Sequence, residues 1–335
     1  MNSVTLDIHF VGCVLRNVPD SIDSKALLDA AGIAPQLLHQ PKARITAEQY
    51  AALSNSVIRA MKDECLGYLH SPFKLGTFSM LVYCVVHSKK LGHAIDMAVR
   101  FLNLFDNGAR VEFVGEGEFS AFRIIENDTS MPFDRFFFET AFTTFHQLFG
   151  WLVGSQITLE SVRFRHSKPE YVHEYSGMFS CKVEFDRGCN EIVMRSEYLD
   201  HDVVQSEVTA RELLSNGPLH LLQHLIHDFS YVGKIKSLIA NDIENFPEFE
   251  DVAQQLHMTP RTLRRHLRRE GRSYQEIKND IRRDAAIYYL TRKGMAIADV
   301  AEQTGFSDTS TFIRAFKAWT GVTPYVYRKQ VEGAG

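Results

Sequence analysis

No apolar run in this 335-residue chain approaches the roughly 18 residues that a membrane helix requires. The longest candidate, Met80 to Val86, stops at His87 and Ser88, so no membrane association is expected. A basic n-region is missing as well: MNSVTLDIHFVG puts Asp7 and His9 where a secretory signal needs an apolar core, and a cytoplasmic location is expected. Cysteine is sparse. The five (Cys13, Cys65, Cys84, Cys181, Cys189) form no CxxC pair and read as buried thiols, a Cys181 to Cys189 bridge being the minor alternative. There is no GxxxxGK[ST] phosphate loop, HExxH, GxSxG or paired acidic motif, so neither a cofactor nor catalysis is expected. Neither charge dominates, the net being minus 4, and 45% apolar with 23% charged residues excludes a disordered, collagenous or disulfide-stapled chain. At roughly 150 residues per domain, the length suggests about two domains.

Charge separates the two ends. Asn241 to Gly335 carries 15 basic and 13 acidic residues, against 22 and 28 in the preceding 240. Between Met258 and Lys293 the count is 11 to 4, a density that suits phosphate neutralisation or a solvated helical face.

An internal repeat decides more. Phe249, Val252, Ala253 and Leu256 stand at helical spacing, and 48 residues later so do Ile297, Val300, Ala301 and Thr304. Each set is followed by a short turn (His257-Met258; Gly305-Phe306) and a capping residue that opens another helix, which predicts two helix-turn-helix units. The second helix of the first unit starts with Thr259 as cap and Pro260 at its first position, and stops before Gly271. At about 100° per residue, Arg261, Arg264, Arg265 and Arg268 share one face while Leu263 and Leu267 point the other way. Four guanidiniums on one face suit guanine edges and phosphate oxygens of double-stranded DNA, the alternative being a solvated basic face. The second unit's helix, Asp308 to about Thr320, sets Ser310, Thr311, Arg314 and Lys317 opposite Phe312, Ala315, Phe316 and Trp319. A helix of about 19 residues between the units, Ser273 to Thr291, is roughly 28 Å long. It suits two reading helices one DNA turn apart.

The segment GFSDTSTFIRAFKAWTGVTPYVYR resembles the C-terminal signature of AraC/XylS transcription regulators. The similarity extends over roughly Asp228 to Val331, with landmarks at Ala301, Gly305, Phe306, Phe312, Arg314, Phe316, Lys317, Gly321, Pro324 and Arg328, and earlier at Thr259, Leu263, Arg265 and Leu267. The resemblance implies that Arg261, Arg264 and Arg265 face bases in one groove and Thr309, Ser310 and Arg314 in the other. Helical geometry puts Thr309 at the helix start, where it serves a phosphate equally well. The resemblance also implies an activator that contacts RNA polymerase, and a homodimer.

Residues 1–200 read as α+β. Helical patterns cover Thr46 to Lys62, Thr77 to His87 and Leu91 to Phe105, and strands fit Arg110 to Val114, Phe119 to Glu126, Ser161 to His166, Lys182 to Phe185 and Glu191 to Met194, with a hairpin at Gly115-Glu116-Gly117. Through Gly12-Cys13, Ala31-Gly32-Ile33, Leu66-Gly67, Leu91 to Ile95 and VRFRHSKPEYVHEY, the region resembles the arabinose-binding-type domain of the same family. It departs from that pattern at Lys74 to Ser79, where the family has a glycine-rich stretch. A helix from Pro132 to Val153 aligns Phe138, Phe142, Phe145 and Phe149, which reads as core or as one wall of an apolar effector pocket. Arg123, Arg163 and His166 are candidates to meet an effector carboxylate or are exposed strand positions.

The expected organisation is an α+β effector-sensing domain (1–200), a linker helix (201–227) and an all-α DNA-binding domain with two helix-turn-helix units (228–331). His220, His224 and His227 have metal-compatible spacing but lie opposite Leu222, Leu225, Ile226 and Phe229, so they read as the solvent side of the linker helix and no metal is expected. One rival is a ligand-independent regulator. Another is a DNA-targeted enzyme, which needs an activated nucleophile, and no cysteine is expected to have an adjacent His or Arg that would lower its thiol pKa.

Overall fold

The computed structural model describes residues 5–40, 42–127, 132–179, 181–215, 231–239, 243, 246–291 and 294–332. Its packing divides the chain into two units, Met1–Val57 with Ile226–Gly335, and Ile58–Leu225.

The chain opens with strand β1 (Thr5–Asp7), helices α1 (His9–Leu15) and α2 (Ser24–Ala30), strand β2 (Arg44–Thr46) and helix α3 (Ala47–Met61). β1 and β2 pair antiparallel with Leu6 opposite Ile45. Asp23 caps α2 by accepting from the Lys25 and Ala26 amides. Helix α1 overturns one expectation, because its turn stacks His9, Cys13 and Arg16 on one face. His9 Nε2 lies 3.3 Å from Cys13 Sγ, and Arg16 Nη2 lies 3.7 Å from it. All five cysteines are free thiols.

The central unit is built on α4 (Thr77–Val86) and α5 (Leu91–Leu102), the hairpin β3 (Ala109–Glu116) and β4 (Phe119–Glu126), α6 (Arg135–Val153), β5 (Leu159–Arg163), α7 (Tyr175–Met178), β6 (Lys182–Glu184), β7 (Asn190–Arg195) and α8 (Glu207–Ser215). The sheet order is β3-β4-β7-β5-β6, antiparallel except for the β5-β6 pair. The hairpin turns at Gly117-Glu118, one residue later than the sequence suggests, with Gly117 at φ +64° and Glu116 opposite Phe119. Alternation along β4 buries Phe122 and Ile124, and α6 lies on that side, with the Phe145 and Phe149 rings 4.8 and 5.5 Å from Phe122. Helix α6 starts three residues after Pro132, because the Asp134 carboxylate accepts from the Phe136 amide and fixes the cap there. Strand β5 ends at Arg163 rather than His166: Asp186 at φ +55° turns the facing chain, and isolated main-chain bonds, from the Phe164 amide to Glu184, the Asp186 amide to His166 and the Arg187 amide to Phe164, continue the contact.

The C-terminal part is all helical: α9 (Tyr231–Ile239), α10 (Phe249–Gln255), α11 (Pro260–Arg269), α12 (Tyr274–Leu290), α13 (Ile297–Gln303), α14 (Thr309–Thr320) and α15 (Pro324–Glu332). The α+β region followed by an all-α region with two helix-turn-helix units is the architecture expected from the sequence. No helix among the described residues is long and apolar enough to cross a membrane.

Candidate nucleic-acid interface

The first unit is held by a small apolar core. Val252 and Ala253 of α10, Leu263 and Leu267 of α11, Ile235 of α9 and Ile277 of α12 are all buried together. Burying Leu263 and Leu267 on one side of α11 leaves Arg261, Arg264, Arg265 and Arg268 exposed on the other. Thr259 Oγ1 accepts from the Thr262 amide at 3.2 Å, and Pro260 occupies the first turn, so the helix begins where the basic face begins. Among the described residues none of the four arginines is ion-paired. Arg264 instead lays its guanidinium over the Phe249 ring at 5.0 Å. An unpaired cationic row is what an anionic polymer requires.

The second unit repeats this with less charge. Asp308 Oδ1 accepts from the Thr311 amide at 2.7 Å, and its hydrogen bonds to the Thr311 side chain and main chain hold the carboxyl below its ordinary range. Phe312 and Phe316 are fully buried, whereas Ser310, Thr311, Arg314 and Lys317 are exposed and Thr309 is half-buried at the helix start. Arg314 Nη2 donates to Thr311 Oγ1 at 3.2 Å, so these two form one polar surface. The 48-residue repeat is exact in the turns: His257 and Gly305 both take left-handed backbone, at φ +55° and +73°. A non-glycine residue adopts that conformation only in the first copy.

Sequence reasoning missed what fastens the units to each other. Helix α12 starts on a capping box, Ser273 with Glu276, and runs 17 residues. From it Arg282 lies over both Phe246, at 4.6 Å, and Phe306, at 4.9 Å, while its Nη2 donates to the Gly305 carbonyl at 3.1 Å. Phe246 belongs to the first unit's core and Gly305 and Phe306 to the second unit's turn. In sequence Arg282 is one more basic residue in a basic stretch.

In the central unit, Phe138, Phe142, Phe145 and Phe149 are buried in the core, Phe142 against Phe164 and the last two against Phe122. Arg123 and Arg163 both donate to the buried Glu191 carboxylate, at 2.8 and 2.7 Å, from strands on either side of it. Burial alone would raise the Glu191 carboxyl, but the two arginines outweigh it and hold the carboxyl below its ordinary range. Glu139, whose lone charge in FFFETAFTTF was visible in the sequence, is fully buried on α6. His220, His224 and His227 lie outside the described residues. Among the described residues no group of three or more His, Cys, Asp or Glu side chains is placed to hold a metal.

Two helix-turn-helix units with exposed polar and basic helix faces, in a chain that also holds an α+β unit, define a DNA-binding regulator of transcription. Residues 22–203 match the arabinose-binding domain of AraC transcription regulators, and residues 252–330 match a helix-turn-helix domain. The chain belongs to the AraC family of transcription regulators. It is 28% identical over 312 residues to the ornithine utilization regulator of Pseudomonas aeruginosa, covering 92% of this chain and 91% of that one. It is 35% identical over 96 residues to the urease operon transcriptional activator of Escherichia coli, covering 29% of this chain and 32% of the other. The solved transcriptional regulator CdpR of Pseudomonas aeruginosa aligns over 96% of both chains at 20% identity and a TM-score of 0.33.

Proposed function

We propose that this protein is a cytoplasmic, effector-responsive activator of transcription, with residues 1–200 sensing, 201–227 linking and 228–331 reading DNA. Arg261, Arg264, Arg265 and Arg268 enter one major groove. Thr309, Ser310, Thr311, Arg314 and Lys317 meet the next, Thr309 from the helix start onto phosphate. The carrying observation is the exposed arginine face of α11, not ion-paired among the described residues and backed by buried leucines. The 17-residue α12, about 25 Å long, supports a one-turn spacing of the two reading helices. The name of the Escherichia coli relative, an operon activator, supports activation. The activator acts as a homodimer that contacts RNA polymerase.

Small-molecule control works by population shift: an effector that binds one conformation of the sensing region better alters DNA occupancy. No catalytic step is assigned, since the relatives are regulators of transcription and Cys13 is buried beside His9. Selection of bound genomic fragments by the full chain, at stated salt, is the test. Recovery of one site spanning two grooves supports the reading, and failure to enrich any sequence above bulk DNA overturns it.

A further inference from the structure

Five buried polar atoms of the central unit have no partner among the described residues, on Ser88, Glu139, Gln147, Ser161 and His166, and two of these, Oε2 of Glu139 and Nε2 of His166, belong to titratable groups. The other oxygen of Glu139 is well served. Its Oε1 accepts from the Tyr171 hydroxyl at 2.9 Å and from the Tyr175 hydroxyl. His166 Nδ1 lies 2.9 Å from the Ser167 carbonyl. A carbonyl only accepts, so Nδ1 carries the proton. Burial lowers the imidazole pKa, leaving a neutral ring whose Nε2 presents a lone pair. The His166 orphan is therefore an acceptor, while burial raises the pKa of the Glu139 carboxyl, whose free oxygen becomes a full acceptor once a cation opposite it favours the ionised form.

The two residues share one aromatic enclosure. His166 packs on Phe164 and Phe185 at 4.7 and 5.7 Å, and Tyr175 packs on the same two rings at 5.7 and 5.6 Å. Tyr171, half-buried, sits edge-on to Tyr175. Arg135 is exposed, with its guanidinium over the Tyr171 ring at 6.0 Å, and hydrogen-bonds neither orphan atom. The protein thus surrounds a carboxyl oxygen and an imidazole lone pair with π faces and, among the described residues, supplies them no hydrogen-bond partner. Aromatic faces attract cations, and a carboxylate in a low-dielectric setting attracts them more strongly.

We propose that Glu139 and His166 mark the effector site of the central unit, and that its ligand is a small organic cation with N–H donors, an alkylammonium. This rests on the effector-responsive reading above. An ammonium brings three N–H donors and a compact positive charge, where, among the described residues, Glu139 otherwise has only the exposed Arg135 guanidinium nearby. An anionic effector would add a third acceptor to this enclosure.

Titration calorimetry of the full chain tests this with n-butylammonium and 1,4-diammoniobutane, against n-butanol and butyrate at matched ionic strength. The ammonium probes are expected to bind and the alcohol and carboxylate not to. Glu139→Gln is expected to weaken ammonium binding by about tenfold or more, while DNA affinity without ligand stays unchanged. His166→Phe keeps the ring packing and removes one acceptor, so it localises the site independently if the Glu139 variant does not fold. Its expected effect is a several-fold loss. Binding of butyrate in preference to n-butylammonium, or no ammonium binding at millimolar concentration, overturns the proposal. Ammonium binding that leaves DNA occupancy unchanged overturns the effector role alone. Loss of DNA binding by the wild-type chain strikes the regulator reading instead.

Discussion

The Tyr327 hydroxyl, fully buried on α15, donates to the main-chain carbonyl of Arg44 on β2, 283 residues earlier in the chain. The Thr5 hydroxyl makes a second such tie, donating to Asp284 Oδ1 on α12, while Arg44 Nε donates to Thr5 Oγ1. The small β1-β2 ladder is thereby part of the same packed unit as the two helix-turn-helix units. Burial raises the Tyr327 phenol above its ordinary pKa, so it remains a proton donor at any physiological pH.

Replacing Tyr327 by Phe leaves the Arg44 carbonyl without that donor in a dry site. A loss of about 1 to 3 kcal/mol is expected from urea unfolding of the full chain. An unchanged midpoint would show that the hydroxyl contributes nothing there.

Arg265→Ala is expected to cost about 1 to 3 kcal/mol of DNA binding and to relax one base position. Competition among operator variants measures this. Uniform weakening over all sequences, with a shallower salt dependence, would assign Arg265 to phosphate instead.

Arg282→Lys keeps the charge but loses the planar group that lies over Phe246 and Phe306 and reaches the Gly305 carbonyl. Stability is expected to fall by about 1 to 2 kcal/mol. Affinity for a two-groove site should fall more than affinity for a half-site, because only the former requires both units in register. Equal losses on the two DNAs would sink this account.

Acidity separates Glu191 from Glu139. The Glu191 pKa is depressed in the folded state, so its contribution is present above the ordinary carboxylate pKa of about 4.3 and is lost as pH falls through the lower folded value. Glu191→Gln should therefore lower the thermal midpoint at neutral pH and flatten its acid limb.

Glu139 runs the opposite way. Burial raises its pKa more than the Tyr175 and Tyr171 hydrogen bonds and the Arg135 charge lower it, with Asp134 adding to the rise. The folded state then holds the proton longer, and stability declines as pH rises from the ordinary carboxylate value to the raised one. Glu139→Gln is expected to flatten that decline. A melting profile with the wild-type slope would show that Glu139 does not titrate in this window.

Much of the exposed face of α11 and α14 was legible beforehand because a helix is a local object. Capping at Thr259 and Asp308, the leucine and phenylalanine stripes and the 48-residue offset all depend on neighbours within a few turns, and the sequence displays those directly. The corrections share a different cause. His9, Cys13 and Arg16 form a cluster only once α1 is known to be helical, and its pattern is short. The end of β5 at Arg163 depends on the backbone of Asp186, more than twenty residues away. Arg123 and Arg163 were visible as strand residues. Their joint engagement of Glu191 follows from β7 lying between β4 and β5, an order that no single-strand pattern encodes.

Periodicity, caps and charge density, all short-range, were enough to specify the two helix-turn-helix units and their arginine face. Packing over hundreds of residues decided the rest: that Arg44 and Tyr327 meet, that Arg282 bridges two aromatic rings, and that Glu139 is left with a bare oxygen among tyrosines and phenylalanines. Burial is a property of the assembled core. Whether a carboxylate finds its partner there is settled only when distant segments close around it.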